Sequence, residues 1–251
     1  MAYFIFILAG LFRLYHIQKG IFFEGELGHN YLAIKNFFVN HSFPLIGPPT
    51  SHEWLSFGPL YYWLFGPILS AGGYHPIVGA LFFALVGSLV PVIHYFFTKK
   101  LFGFYAATLS SLLLAVSPFL LLGTWQSRFF SLVVPLTYIM LYFLYGIKKL
   151  SDAKKLIFAT FFFGVMLNFH LSPIILLPGL LFHIILNRKK YSRSVLSAAV
   201  GAFFIPHIPL LFADAHRGFY MGRQLLLWFP YRIAGFLGLY PKNTIDTATS
   251  Y

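Results

Sequence analysis

The chain has 251 residues, of which 59% are hydrophobic and 10% charged, against about 25% charged in an ordinary water-soluble domain. That balance excludes a soluble globular protein. The net charge of +12 does not point to nucleic acid either, because the basic residues stand in short clusters between apolar stretches and not along one polar face. Cysteine is absent, which removes disulfides and thiol chemistry.

The first apolar segment, 1–14, lacks a cationic start and a cleavage site, so it reads as a short first span and not as a signal peptide. Its twelve residues before Arg13 make about 18 Å of helix, which leaves room for a start further upstream. A long mixed loop, 15–57, holds three of the six acids. Residues 57–72 are apolar but broken by Pro59 and by Gly66-Pro67, and at about sixteen residues they are short for a crossing, so a re-entrant or interfacial segment is expected. Spans are then predicted near 76–97, 102–122, 129–147, 155–170, 173–187 and 194–212, followed by an outer segment, 213–251. The fold class is all-α, a single polytopic transmembrane module of about seven spans.

Lys99 and Lys100, then Lys148, Lys149, Lys154 and Lys155, then Arg188, Lys189, Lys190 and Arg193, fall in alternate loops, which the positive-inside rule puts in the cytoplasm. The other connections then face outward. Glu24, Glu26, Glu53, Asp214 and Asp246 would share that outer face, leaving Asp152 inside, provided 57–72 does not cross. A multi-pass protein of the cell membrane with an extracytoplasmic site is the expectation.

From Glu26 onward the loop can form an amphipathic helix. Leu27, Tyr31, Ile34 and Phe38 recur at helical spacing on one side, with Glu26, His29, Asn30, Ala33 and Phe37 on another. The second stripe starts with a carboxylate, an imidazole and an amide together, although a carboxylate in a first turn also simply suits the helix dipole. Glu26 and His29 form a Glu-x-x-His pair, one unit of a di-metal site whose second copy is missing, so no metal site is expected; a divalent cation is the one cofactor left open. Arg128 stands at the expected outer end of its span, where a guanidinium can either snorkel or grip a phosphate bidentately. Arg217 and Arg223, near Asp214, add a second basic cluster on that face. Tyr61 and Tyr62 follow the turn residues Gly58-Pro59, as interfacial anchors or as part of a site.

Three stretches carry a resemblance: Glu26-Leu27-Gly28-His29-Asn30 after the first span, Leu45-Ile46-Gly47-Pro48-Pro49-Thr50-Ser51, and Gly58-Pro59-Leu60-Tyr61-Tyr62. Together they resemble the amino-terminal half of the GT-C membrane glycosyltransferases, the class of protein O-mannosyltransferases and the aminoarabinose lipid A transferase. The resemblance implies that the first-loop acid is the catalytic base and that the donor is a polyprenyl-phosphate sugar. Glu26 takes the acid's position, His29 stands where relatives keep Arg, and Asn30 where many keep a second acid. Glu24 is the reserve base. His29, Asn30, Arg128, Arg217, Arg223, Tyr61 and Tyr62 are then the substrate-binding candidates. The acceptor, whether protein, lipid or glycan, is left open, and membrane lipids are the other expected partners. Relatives usually carry further spans and often a soluble carboxy-terminal domain, so the chain reads as a front half. Two other readings share these features: a lipid-linked glycan transporter or flippase, and a truncated, inactive relative that binds lipid or a partner. Polar residues gathered on one face and the lack of a repeat count against transport.

Overall fold

The computed structural model describes residues 1–21 and 23–239; Phe22 and residues 240–251, with Asp246, lie outside the described residues. Among the described residues all regular structure is helical, apart from an isolated antiparallel bridge between Pro49 and Ser56. Helix α1, Ala2–Leu14, leads through a short α2, Ile17–Gly20, into α3, Gly25–Val39. The apolar side expected of α3 is the side it buries, through Leu27, Tyr31 and Ile34. Phe38 stays exposed, because the helix ends at Val39 before its last turn meets the core.

Helix α4, Leu60–Ala71, has twelve residues, about 18 Å, and contains Pro67. It falls well short of a hydrocarbon core of about 30 Å. Tyr61, Tyr62, Phe65 and Leu69 bury one side of it against α3 and Phe83.

Helix α5, Pro76–Ala115, is 40 residues in name but two limbs in fact. Gly103 has φ 87° and ψ −179°, a conformation that a residue with a β-carbon rarely adopts, and the chain reverses there. The proof is a contact. His94 Nε2 lies 2.8 Å from Ser110 Oγ, whereas sixteen residues of straight helix would hold them about 24 Å apart. The expected spans near 76–97 and 102–122 are therefore the limbs of one hairpin, the second continued by α6, Pro118–Trp125. Pro118 ends the second limb, since it has no N–H to offer the preceding turn.

The rest of the bundle is α7, Val133–Leu141, flanked by a 3₁₀ turn at Phe129–Leu132 and a π turn at Tyr142–Gly146; α8, Asp152–Leu167; α9, Leu177–Leu186; α10, Arg193–Phe204; α11, Ile208–His216; and α12, Tyr220–Phe236. Helices α8 and α10 pack closely, with Ala159 and Ala199 in one buried cluster. Small side chains allow that approach, and in lipid close packing drives helix association more than apolar burial does. By length and composition, three helical stretches of the described residues are able to cross a membrane: Pro76–Ala115, which holds the hairpin, Phe129–Gly146 and Arg193–His216. Ala2–Leu14 and Ser172–Leu186 are apolar but shorter. Seven crossings were expected; α8, at sixteen residues with Asp152, Lys154 and Lys155 in its first turn, shows why a length criterion returns fewer. The outer segment 213–251, expected to hold no further span, contains the helix α12.

The loops sort into two groups. Trp125 Nε1 donates to Arg13 O at 2.9 Å, Arg128 pairs with Glu24, and Phe57 packs on Phe129 and His170, so the first long loop and the connections at 123–128 and 170–173 meet at one end. At the other end, Lys100 Nζ donates to Gly146 O, and Asp152 pairs with Lys155 at 3.2 Å and Lys190 at 3.7 Å. Glu24 and Arg128 thus stand at one end, and Asp152 with Lys100, Lys155 and Lys190 at the other.

Candidate functional site

The two glycine-containing stretches of the first loop form one local structure. Gly47 N donates to Phe57 O and Phe57 N to Pro48 O, each at 2.9 Å, which closes the loop 47–57 into a narrow ring. A β-carbon on Gly47 would fall on the carbonyl of Gly58, and one on Gly58 would fall on the amide of Asn168 at the end of α8. Backbone meets backbone at Gly47 and a buried side-chain amide meets backbone at Gly58, so both glycines are needed for close approach. Inside the ring, Thr50 N donates to Leu55 O at 3.0 Å and Leu55 N to His52 O at 2.9 Å.

That ring forms one wall of a cavity of about 630 Å³. Glu26 and His29, from the first turns of α3, form another. Arg128, Phe129, Phe130 and His170 close it from the bundle, and Trp228 covers it from α12. Glu26 is exposed and has no ion-pair partner among the described residues. Glu24 is engaged: its Oε1 lies 3.0 Å from Arg128 Nη2, the two side chains being about 28% and 30% exposed. Arg128 Nε also donates to Gln126 Oε1 at 2.8 Å, and its guanidinium sits 5.5 Å from the Phe130 ring centroid.

A second cavity, about 570 Å³, lies alongside and shares Arg128, Phe130 and His170 with the first. Its walls are apolar, with Phe83, Val86, Val90, Phe119 and Val134. Arg13 also lines it, fully buried, with Nη1 donating at 3.0 Å to both Ala9 O and Ala115 O, while Nε and Nη2 have no partner. Ala115 ends the second limb of α5, so the guanidinium satisfies one of that helix's orphan carbonyls and faces the negative end of its dipole.

The other residues singled out from sequence sit elsewhere. Asn30 is 2% exposed, and its Oδ1 accepts from the Tyr62 hydroxyl at 2.9 Å. Tyr61 is buried in the aromatic cluster with Phe65 and Phe129, its hydroxyl unpartnered. These three build the support beneath α3 and do not line the cavity. Tyr31, in the same layer, is desolvated by burial, which pushes its phenol up to about 12 and keeps it neutral. Arg217 and Arg223 are exposed and line neither cavity. Asp214 is buried, and its carboxylate accepts from Met221 N at 2.8 Å and Gly222 N at 2.9 Å, capping the start of α12. Among the described residues no group of three His, Cys, Asp or Glu stands close enough to hold a metal ion.

Sequence reasoning missed Arg13, His170 and Trp228. Arg13 looked like the polar end of a span, His170 closed the expected span 155–170 outside any motif, and Trp228 lay in the outer segment without being singled out. Arg13 alone had a readable signal, since a charge inside an apolar segment calls for a partner.

Comparison with known proteins returned no match among curated proteins and none among solved structures. One family profile, described as dolichyl-phosphate-mannose-protein mannosyltransferase, matches residues 56–212. The matched region contains Arg128, His170 and the hairpin of α5, and it begins after Glu24 and Glu26. It spans more than half of the chain, so with its apolar helices this chain belongs to the dolichyl-phosphate-mannose-protein mannosyltransferase family, a membrane glycosyltransferase of the GT-C superfamily.

Proposed function

We propose that the chain transfers a sugar from a polyprenyl-phosphate donor to an acceptor hydroxyl on the outer face of the membrane, with Glu26 as base. The observation that carries this is the pair of adjoining cavities: a polar one holding Glu26, His29 and Arg128, and an apolar one opening onto the same Arg128. A polyprenyl chain suits the apolar walls, which puts its phosphate at the shared guanidinium and its sugar in the polar cavity. A Glu26 oxygen takes the proton of the acceptor hydroxyl as that oxygen attacks the anomeric carbon. The bond from the anomeric carbon to the phosphate oxygen breaks, and its electron pair leaves with the polyprenyl phosphate. The departing group is already an anion, so it needs a cation and not a proton donor, and Arg128 supplies one after exchanging Glu24 for the phosphate. This differs from glycoside hydrolysis, where two carboxylates divide the work.

The seven-crossing reading belongs to this proposal. The α5 hairpin supplies two crossings, and the gathering of basic loops at the end away from Glu26 is the charge bias expected of a cytoplasmic face. The test is a transfer assay in membranes with a panel of polyprenyl-phosphate sugars. Transfer is expected from the native chain and none from Glu26→Gln, with equal amounts of folded protein in the membrane. Transfer by Glu26→Gln would remove Glu26 as base; donor movement across the bilayer without transfer would favour the flippase.

A further inference from the structure

The polar cavity has an aromatic wall that the transfer chemistry above does not use. His52 and Trp54, at the tip of the first-loop ring, stack with centroids 5.6 Å apart and planes 18° apart. Trp228 of α12 meets His52 edge-on at 5.3 Å and leans toward Trp54 at 6.3 Å. All three line the cavity that holds Glu26 and His29. The indole Nε1 of Trp228 is buried and has no hydrogen-bond partner among the described residues, and Arg232 sits 5.3 Å from the Trp228 ring.

We propose that this cluster is the acceptor subsite and that it takes a sugar ring of a glycan. The inference rests on the transferase reading, whose acceptor it specifies. A pyranose has one face of C–H bonds with slightly positive hydrogens, which suits the negative face of an indole, and a rim of hydroxyls, which suits an unpaired N–H donor and a carboxylate. The cavity offers all of these groups, in Trp54, Trp228 and Glu26. A peptide bound by strand addition needs something else, namely a row of open backbone groups to pair with. The loop has few to give. Thr50 N, Leu55 N and Phe57 N are bonded within the ring, Leu55 O and His52 O accept there, and Thr50 Oγ1 adds bonds to the same carbonyls at 3.0 and 3.2 Å. A ring stacked on Trp54 or Trp228 shares the cavity with Glu26.

The experiment uses the full chain in lipid nanodiscs. Equilibrium binding of methyl hexopyranosides and disaccharides is measured beside binding of a threonine-containing peptide and of polyprenyl-phosphate mannose. The variants are Trp54→Ala, Trp228→Ala, Trp228→Phe, and Trp63→Ala as a control on a tryptophan outside the cavity. Saccharide binding by the native chain is expected to weaken about five- to tenfold in each of the two alanine variants, to stay within about threefold in Trp228→Phe, and to be unchanged in Trp63→Ala. Donor binding, anchored at Arg128 and in the apolar cavity, is expected to weaken less than saccharide binding in both alanine variants and to stay native in Trp63→Ala. The inference is overturned if the native chain binds none of the saccharides, if it binds the peptide in their place, or if both alanine variants bind saccharide as the native chain does. Loss of donor binding with intact saccharide binding would instead count against the transferase reading and leave the subsite standing.

Discussion

Glu24 Oε1 and Arg128 Nη2 lie 3.0 Å apart, joining the residue that precedes α3 to the connection that carries the shared wall of both cavities. The pair is partly exposed, so it contributes less than about 1 kcal/mol to stability. Glu24→Gln is therefore expected to leave the melting temperature in detergent within a few degrees of native and to strengthen donor binding, because it releases the guanidinium. Arg128→Ala is expected to weaken donor binding about 10- to 100-fold, the loss of a charge-assisted hydrogen bond. Binding of a labelled polyprenyl-phosphate sugar to the two variants checks both directions at once.

Asp214 holds two amides of the first turn of α12. Asp214→Ala is expected to cost about 1–2 kcal/mol, localised to that helix. Amide hydrogen exchange should rise over 220–236 before it rises in α8, and the contact of Trp228 with His52 should be lost with it. Uniform exchange throughout the bundle would show that the carboxylate does more than cap.

Gly47 leaves no room for a methyl group against the Gly58 carbonyl, and Gly58 leaves none against the Asn168 side chain. Gly47→Ala and Gly58→Ala are each expected to cost about 1–3 kcal/mol, the first through backbone displacement and the second by driving the buried Asn168 amide from its seat. Because the ring they close carries His52 and Trp54, saccharide binding should fall in both variants, whereas Gly25→Ala, where a methyl group would meet open space, should be tolerated. Thermal unfolding of the three variants decides it.

At the other end of the bundle, Asp152 is held below the usual carboxylate range, first by its hydrogen bond from Lys155 and then by the charges of Lys155 and Lys190. A lowered folded value means the stabilisation is present in full above the titration range of the unfolded carboxylate. It is lost as pH falls through the lowered folded value. The melting temperature of the native chain should therefore drop on acidification by slightly more than that of Asp152→Asn, and the effect should be small and shrink with salt, because the carboxylate is partly exposed.

Much of this fold could be read from hydropathy and charge. Spans expected at 76–97 and 102–122 are the limbs of the hairpin, and the alternation of lysine clusters matches the segregation of Asp152, Lys155 and Lys190 from Glu24 and Arg128. The amphipathic stripe of Leu27, Tyr31 and Ile34 gave α3 its buried side. The placement of Asn30 could not be read in the same way. Spacing put it on the polar stripe with Glu26, yet it turns inward to Tyr62, since an amide can be buried at low cost once a hydroxyl pairs with it. Trp228 was hidden for a different reason: its partners, His52 and Trp54, lie more than 170 residues earlier, and no local period records such a contact.

The bond from Arg13 to the carbonyl of Ala115 joins two points 102 residues apart. It sets an order of events during synthesis. Helix α1 is made before α5, but its buried guanidinium has no acceptor on another of the described helices until the second limb of α5 has been made and has turned back at Gly103. Until then the Arg13 guanidinium has, among the acceptors it uses in the folded chain, its own Ala9 carbonyl alone, so the final seat of α1 in the bilayer is fixed by a segment that emerges later. Helix α1 is thus locked from behind, and assembly of the apolar cavity marks completion of the hairpin.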